Sequence, residues 1–185
     1  MSPLHFRPAH PGDALQVAQL HADSWRTHYR GAYADTYLDG NILPEREAVW
    51  TTRLTAEAAW PVSATTLAVQ DDHLLGFVHV QFNTDPHWGS LVDNLHVRTT
   101  QHRSGIGTQL LSHAAQSVLH QAASPALYLW VLEQNTPAQH FYKARGATPS
   151  GTAPVPPPGG DPTRLTDSPK CLRMTWPDAT SLIIR

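Results

Sequence analysis

The chain lacks several features that would place it in other classes of protein. Its 185 residues include one cysteine, Cys171, so no internal disulfide can form. It has no run of about 18 apolar residues, which argues against a membrane-spanning helix. Residues 1–13 combine neither a basic segment nor an apolar core, so they do not resemble a secretory signal. We therefore expect a cytoplasmic protein that does not enter a membrane.

Charge of either sign is scarce and nearly balanced, with 13 Lys and Arg against 15 Asp and Glu. This balance leaves no excess of Lys and Arg to bind the phosphates of a nucleic acid, and we expect no nucleic-acid partner. The 12 histidines are scattered, without an H-E-x-x-H motif or a Cys/His cluster at zinc spacing, so we expect no metal. His21 and His28 are seven residues apart, as are His113 and His120, and we interpret both pairs as surface histidines.

The length and the hydrophobic fraction of 41% suit one domain spanning residues 1–185. Within it, residues 152–169 form a proline-rich loop. This loop is too long for a plain connection, and it is therefore either disordered or functional.

Hydrophobic periodicity predicts alternating strands and helices. The segment 126–133 is apolar on both sides, which predicts a central strand buried on both faces. The order of elements over 90–146 predicts a right-handed crossover between parallel strands, and hence an α+β (α/β) fold with a mixed central sheet and flanking helices. The predicted strands are 4–9, 65–70, 74–82, 90–97, 126–133, 147–151 and 170–176; the predicted helices are 14–30, two within 34–54, 105–121 and 136–146.

The stretch "HRSGIGT", residues 102–108, is a glycine-containing turn that leads from a strand into a helix. The N–H groups at a helix N terminus suit a phosphate, and Gly105 and Gly107 let the backbone approach it. Arg103 and Ser104 can add charge and a hydroxyl. A mononucleotide P-loop would need G-K-[ST], and a dinucleotide fingerprint would need a third glycine where the chain has leucine. From this segment alone, a turn without a ligand stays open.

Two longer segments resemble motifs of one family. "LHVRTTQHRSGIGTQLL", residues 95–111, resembles the acetyl-CoA motif of the GNAT superfamily of N-acetyltransferases. "LYLWVLEQNTPAQHFYKARGA", residues 127–147, resembles the second motif of that family, and residues 6–33 resemble its opening strand and helix. The resemblance covers roughly residues 3–150.

This resemblance implies the GNAT fold, in which two parallel strands splay apart and hold the pantetheine arm of acetyl-CoA, the co-substrate. The chain departs from the usual pattern at three positions. His102 stands where Gln or Arg is usual, Ala147 replaces an aromatic residue, and Leu91 lies where many relatives carry a Glu that can serve as base. The implied cofactor-binding residues are Leu95, His96, Val97, His102, Arg103, Ser104, Gly105, Ile106, Gly107, Thr108, Asn135, Ala138 and Tyr142.

The implied reaction is direct attack by an amine on the acetyl thioester, with a small molecule or a terminal amino group as the acceptor. An amine is mostly protonated near neutral pH, so a base must take its proton. Asp93 is the first candidate base, because a carboxylate in mid-strand is unfavourable unless it is paired or functional. Glu133 is the second candidate, and a structural role for Asp93 stays open. By resemblance, Tyr142 is the general acid that protonates the leaving thiolate.

Three aromatic residues near the first helix, Trp25, Tyr29 and Tyr33, are candidates for acceptor binding. They could equally pack the helix on the sheet. The rival function is that of a non-catalytic CoA-binding protein with a regulatory or assembly role. The missing acid at Leu91 keeps this alternative open, and the presence of Tyr142 argues against it. The resemblance also allows a homodimer, because family members often pair.

Overall fold

A computed structural model describes residues 3–55 and 62–184. Its strands form one mixed sheet in the order β1-β2-β3-β4-β5-β7-β6. All neighbouring strands are antiparallel except β4 and β5, which are parallel. The strands are β1 His5–Pro8, β2 Ser63–Gln70, β3 His73–Asp85, β4 Gly89–Val97, β5 Leu127–Leu132, β6 Thr148–Pro154 and β7 Lys170–Trp176.

Helices cover both faces of the sheet, which confirms the predicted mixed α+β architecture. One face carries α1 and α3, and the other carries α4 and α5. Among the described residues, no helix has the length and apolar character that crossing a membrane requires. The helices are α1 Ala14–His28, α2 Asp35–Leu38, α3 Ile42–Thr55, α4 Ile106–Gln121 and α5 Thr136–Ala144.

The buried stripe of α4 explains where this helix packs. Leu110, Leu111, Ala114 and Val118 recur at helical spacing and are 1% exposed or less. They contact the cluster formed by β3, β4 and β5. Burying each of the two leucines contributes about 2 kcal/mol. This packing fixes the N terminus of α4 beside the end of β4.

A bulge in β4 separates this strand from β5. His79 pairs with Asn94 and Val80 pairs with Val92, so Asp93 has no partner in β3. A bulge bends its strand and increases the local twist. The described pairing between β4 and β5 stops after Ser90 with Leu127 and Leu91 with Tyr128. The two strands therefore diverge beyond these pairs.

Two sequence expectations need correction. The strand predicted to end at 151 continues to Pro154, so the loop begins at 155 rather than 152. Prolines are tolerated there because β6 lies at the edge of the sheet. The prediction that β5 is buried on both faces is wrong at Trp130, which is 37% exposed. The reason is that α1 packs on β3 and β4 and leaves this part of β5 uncovered.

The segment 155–169 is held against the turn that joins α1 to α2. The N–H of Val155 donates to the carbonyl of Pro169 at 2.9 Å, which closes the base of the loop. The N–H of Thr166 donates to the carbonyl of Ala32, also at 2.9 Å. The loop therefore forms one wall beside the end of α1.

Candidate active site

A cleft of about 850 Å³ opens where β4 and β5 diverge. It is lined by the end of α1, the second half of β4, the start of α4, the second half of β5 and α5. Beyond Leu91 and Tyr128, no backbone pairing joins the two strands in the described part of the chain. Backbone N–H and C=O groups require partners, so these strand edges favour a ligand or water between them.

The structure brings nearly all of the predicted site residues to this cleft. Ser104 is the one predicted cofactor residue that does not line it, and its hydroxyl donates to the carbonyl of Gln101 at 2.6 Å. Whether the lining residues bind the cofactor stays a prediction. Those that line the cleft are Asp93, Leu95, His96, Val97, His102, Arg103, Gly105, Ile106, Gly107, Thr108, Asn135, Ala138 and Tyr142.

The N terminus of α4 faces the cleft without a side-chain cap. Gly105 is the N-cap residue, with a left-handed φ of 86°, and Arg103, two residues earlier, has φ 65°. A Cβ at Gly105 would meet no atom within 4 Å, so the glycine is required by its φ and not by a lack of space. The first N–H groups of an uncapped helix lack partners and suit an anion.

Asn135 connects β5 to α5 and contributes to both the fold and the cleft. Its Oδ1 accepts a hydrogen bond from the N–H of Ala138 at 3.3 Å, which caps α5. Its side-chain NH₂ has no partner among the described residues. The cap that the sequence allowed is therefore present, and the contact with the pantetheine arm stays a prediction.

Tyr142 presents a hydroxyl to the cleft. Its ring packs against Phe141 at 5.3 Å and Trp176 at 6.2 Å between centroids, and the residue is 9% exposed. Within residues 3–55 and 62–184, the hydroxyl has no hydrogen-bond partner. Burial raises the pKa of Tyr142, so the phenol stays protonated at neutral pH and can donate.

Asp93 is held by an arginine that the sequence did not identify. The Nη2 of Arg53, in α3, lies 2.8 Å from Oδ2 of Asp93, and its Nη1 donates to Oδ1 of Asn94 at 2.9 Å. The other carboxylate oxygen, Oδ1, has no partner in the described chain. Because the bulge gives Asp93 no partner in β3, its side chain can reach α3. One oxygen is thus fixed, and the other is available.

Three histidines lie close to the β4 bulge, and the interpretation of His21 as a surface residue is wrong. His21 and His79 are each 1% exposed. His96 lines the cleft, and its Nδ1 is 2.7 Å from the hydroxyl of Ser24. Burial lowers the pKa of His21 well below its usual value and lowers the pKa of His79 and of His96 to about 4. These side chains are therefore neutral at pH 7 and do not repel a cationic amine.

The three aromatic candidates for acceptor binding form one cluster, but only Tyr29 lines the cleft. Trp25 stacks on Tyr29 at 5.4 Å, and Tyr33 lies 4.9 Å from Tyr29, between ring centroids. Trp25 and Tyr33 are 8% and 7% exposed, so they support Tyr29 from behind. Burial raises the pKa of Tyr29 to about 12, which keeps it a neutral hydroxyl.

Sequence reasoning missed several residues that line the cleft. Gln101, Trp130, His140 and Phe141 lie inside the two motif segments, 95–111 and 127–147, and could have been found there. The approach of the others to the cleft depends on tertiary packing, and no short motif marks them. These missed residues include Ser24, His28, Asn94, Gln101, Trp130, His140 and Phe141.

Cys171 lies outside the cleft lining, and its thiol donates to the carbonyl of Ala153 at 3.4 Å. Within the described ranges, no group of three or more His, Cys, Asp or Glu is arranged to hold a metal ion.

Comparison with known proteins identifies the family. The model of the acetyltransferase (GNAT) family matches residues 18–147. The chain belongs to this family. It is 28% identical over 143 residues to the uncharacterized N-acetyltransferase YuaI of Bacillus subtilis, covering 75% of this chain and 76% of that protein. The protein is therefore an acyltransferase of the N-acetyltransferase type.

Solved structures show the same fold. The PaiA N-acetyltransferase of Thermoplasma acidophilum, in complex with coenzyme A, matches with a TM-score of 0.71 and 17% identity, over 94% of this chain and 99% of that one. NAA60 of Arabidopsis thaliana, in complex with acetyl-CoA, matches with a TM-score of 0.64 and 17% identity, over 94% and 98%. At these identities, the likeness concerns the fold.

Proposed function

We propose that the protein transfers the acetyl group of acetyl-CoA to a primary amine, on a small molecule or at a terminal amino group, by direct attack. One observation carries the proposal. A protonated and unpartnered phenol, Tyr142, lines the same cleft as a half-paired carboxylate, Asp93. A proton donor and a proton acceptor in one cleft are what this reaction needs.

The residues of the cleft fit acetyl-CoA. The uncapped N terminus of α4 offers N–H donors to the pyrophosphate. The unpaired edge of β4 at 95–97 and the free amide of Asn135 suit the amides of the pantetheine arm. When bound, acetyl-CoA supplies an activated acetyl thioester. The complexes of PaiA with coenzyme A and of NAA60 with acetyl-CoA support this choice of ligand.

Asp93 removes the proton from the amine, directly or through one water, by way of its free Oδ1. Arg53 fixes the other oxygen at 2.8 Å and so sets the direction of the carboxylate. His96 and His79 are neutral at pH 7, and they add no positive charge to oppose the approach of an ammonium group. Asp93 is therefore the anion to which the amine delivers its proton.

Two hydrogen-bond donors act on the thioester, one at its carbonyl oxygen and one at its sulfur. Backbone N–H groups at the divergent end of β4 are fixed in place, and they can donate to a carbonyl oxygen as it gains negative charge. The hydroxyl of Tyr142 donates its proton to the sulfur as the thiol leaves. Its raised pKa keeps the proton available at neutral pH.

The test is a thiol-release assay with acetyl-CoA and a panel of primary amines, for the wild type and Tyr142→Phe. We expect amine-dependent release that falls about 100-fold or more in the variant, while a calorimetric titration shows that both proteins bind acetyl-CoA. A protein that does not bind acetyl-CoA would contradict the proposal, as would an unchanged rate in the variant. Binding without release by any amine would favour the non-catalytic role.

A further inference from the structure

The guanidinium of Arg173 contacts two indole rings beside the cleft. Its guanidinium carbon lies 4.3 Å from the ring centre of Trp88 and 4.9 Å from that of Trp130. Trp130 also lines the cleft, whereas Arg173 and Trp88 do not, so the indole of Trp130 connects Arg173 to the cleft. Two rings hold the guanidinium plane in one orientation, which leaves its N–H edge as the bonding surface.

The N–H groups of Arg173 are unsatisfied. Its Nε is buried and has no hydrogen-bond partner, whereas both Nη groups reach the surface and also have none among the described residues. The nearby carboxylate of Asp85 forms no hydrogen bond with Arg173 in the described chain. Its Oδ1 accepts the N–H groups of Trp88 and His87, which lower its pKa, and the charge of Arg173 adds a smaller lowering. Buried polar groups are nearly always paired, so this exception indicates a missing partner.

The backbone around Arg173 is shaped to admit it. The pairing of β6 with β7 shifts between Pro149 and Thr152, which places a bulge opposite Arg173. Gly151 in this bulge has φ 134°, and a Cβ there would lie 3.2 Å from Nη2 of Arg173. The hydroxyl of Ser150, in the same bulge, is also buried without a partner. Gly151 thus leaves room for the guanidinium, and the bulge opposite Arg173 holds one further unpaired polar group, the hydroxyl of Ser150.

Arg173 and Asp93 lie on the same face of the sheet, at about the same level along the strands. Leu91 pairs with Tyr128 in β5, so Asp93 is about level with Trp130, and Trp130 pairs with Arg173. Strands lie about 5 Å apart, which separates the backbones of Asp93 and Arg173 by at least about 10 Å. Their side chains and one small molecule can fill this space.

We propose that the acceptor is zwitterionic, with its amine at Asp93 and an anionic group, a carboxylate or a phosphate, on the N–H edge of Arg173. The indole of Trp130 forms the floor between the two ends. A fixed guanidinium fork matches planar oxyanions and binds them with two parallel hydrogen bonds. This inference rests on the proposed function, because it takes the cleft to be the acceptor site.

The test compares matched acceptors in the thiol-release assay. Amino acids and dipeptides are each paired with their C-terminal amide, and phosphoethanolamine is paired with ethanolamine. We expect the anionic member of at least one pair to have a kcat/KM roughly 10- to 100-fold higher in the wild type. The pair that shows the preference identifies carboxylate or phosphate as the recognised group.

The variants Arg173→Met and Arg173→Lys test whether that preference comes from the guanidinium group of Arg173. We expect the ratio within a pair to collapse towards one in Arg173→Met and to fall partly in Arg173→Lys, which keeps the charge and loses the planar edge. Arg164→Met is the matched control, since Arg164 stacks on Tyr37 at 4.7 Å but is already paired with Glu45 at 2.9 Å. We expect it to leave the ratio unchanged, and melting temperatures show that each variant is folded.

A readout without turnover separates this inference from the proposed function. N-acetylglycine, N-acetylglycinamide and inorganic phosphate are titrated into the wild type and Arg173→Met in the presence of CoA. Preferential binding of N-acetylglycine or phosphate that Arg173→Met abolishes supports the anion site even if no amine is acetylated. If amines are acetylated without preference for the anionic member of a pair, the inference is overturned and the proposed function stays intact. Equal binding of all probes by both proteins would also overturn the inference.

Discussion

The two sides of the cleft are built in different ways. The α4 side comes from one continuous stretch, in which the end of β4 leads through Gly105 into α4. The opposite side is assembled from the end of α1, the β4 bulge and β5, whose residues are far apart in the chain, and α3 supports it through the ion pair of Arg53 with Asp93. The first side offers backbone N–H groups, and the second offers charged side chains, among them the carboxylate of Asp93. Binding of a common co-substrate and selection of an acceptor are therefore expected to respond to different substitutions.

Asp93→Asn has the largest expected effect on the acceptor side, comparable to that of Tyr142→Phe, and the effect is confined to this side. Loss of the proton acceptor lowers kcat about 100-fold, and acetyl-CoA affinity is unchanged. The control is Asp13→Asn, because Asp13 forms an ion pair with Arg7 at 2.8 Å outside the cleft lining. This control loses stability and keeps kcat. A similar fall in kcat for both variants would show that the effect of Asp93→Asn is structural.

Gly105→Ala tests the α4 side. An alanine at φ 86° costs about 1 kcal/mol of backbone strain, and relief of this strain shifts the N–H groups at the start of α4, which we propose bind the phosphates. We expect acetyl-CoA to bind about tenfold more weakly, by calorimetry. Gly146→Ala is the matched control, since Gly146 also has φ 86° with no atom within 4 Å of an added Cβ, and it follows α5 outside the cleft lining. Equal loss of affinity in both variants would contradict the role of the α4 terminus.

Stability against pH tests the neutral histidines. Because burial lowers the pKa of His79 to about 4, the unfolded chain binds a proton near pH 6.5 that the folded chain does not. Stability is therefore full above pH 7 and falls as the pH drops from 6.5 towards 4, by on the order of 5 °C in Tm at pH 5. His79→Gln should weaken the dependence of Tm on pH, and His120→Gln, at an exposed position, should not. If His79→Gln leaves this dependence unchanged, other groups are its cause.

The smallest effect is expected at the loop 155–169. Glu45→Gln removes the ion pair that joins α3 to Arg164 in this loop, and both side chains are partly exposed, at 36% and 27%. Such a pair contributes less than about 1 kcal/mol, so Tm should fall by at most a few degrees, and acetyl-CoA affinity should not change. A change in KM for the acceptor alone would show that the loop also shapes the acceptor side.

The part of the site that the sequence predicted lies in two short segments. Gly105 before an apolar helix follows from local backbone chemistry, whereas Asn135 and Tyr142 follow from the resemblance of residues 127–147 to a family motif. Arg53 could not be predicted, because its contact with Asp93 depends on how α3 crosses the sheet and on a bulge that the pattern of β4 does not show. The buried state of His21 could have been predicted, because it follows Val17 and Ala18 at helical spacing on the buried face of α1.

The extent of β6 and the exposure of Trp130 were mispredicted for a related reason. An edge position makes proline acceptable in a strand, and the absence of a covering helix makes an apolar residue exposed. Both depend on neighbours in the sheet and not on the residues themselves.

The most direct test of the division of the cleft is a calorimetric titration of the wild-type protein with acetyl-CoA and with S-acetylpantetheine, which lacks the nucleotide and its pyrophosphate. If the uncapped N terminus of α4 holds the pyrophosphate, acetyl-CoA should bind in the micromolar range and S-acetylpantetheine about 100-fold more weakly. Equal affinities, or no binding of acetyl-CoA, would contradict the assignment of the α4 side to the co-substrate.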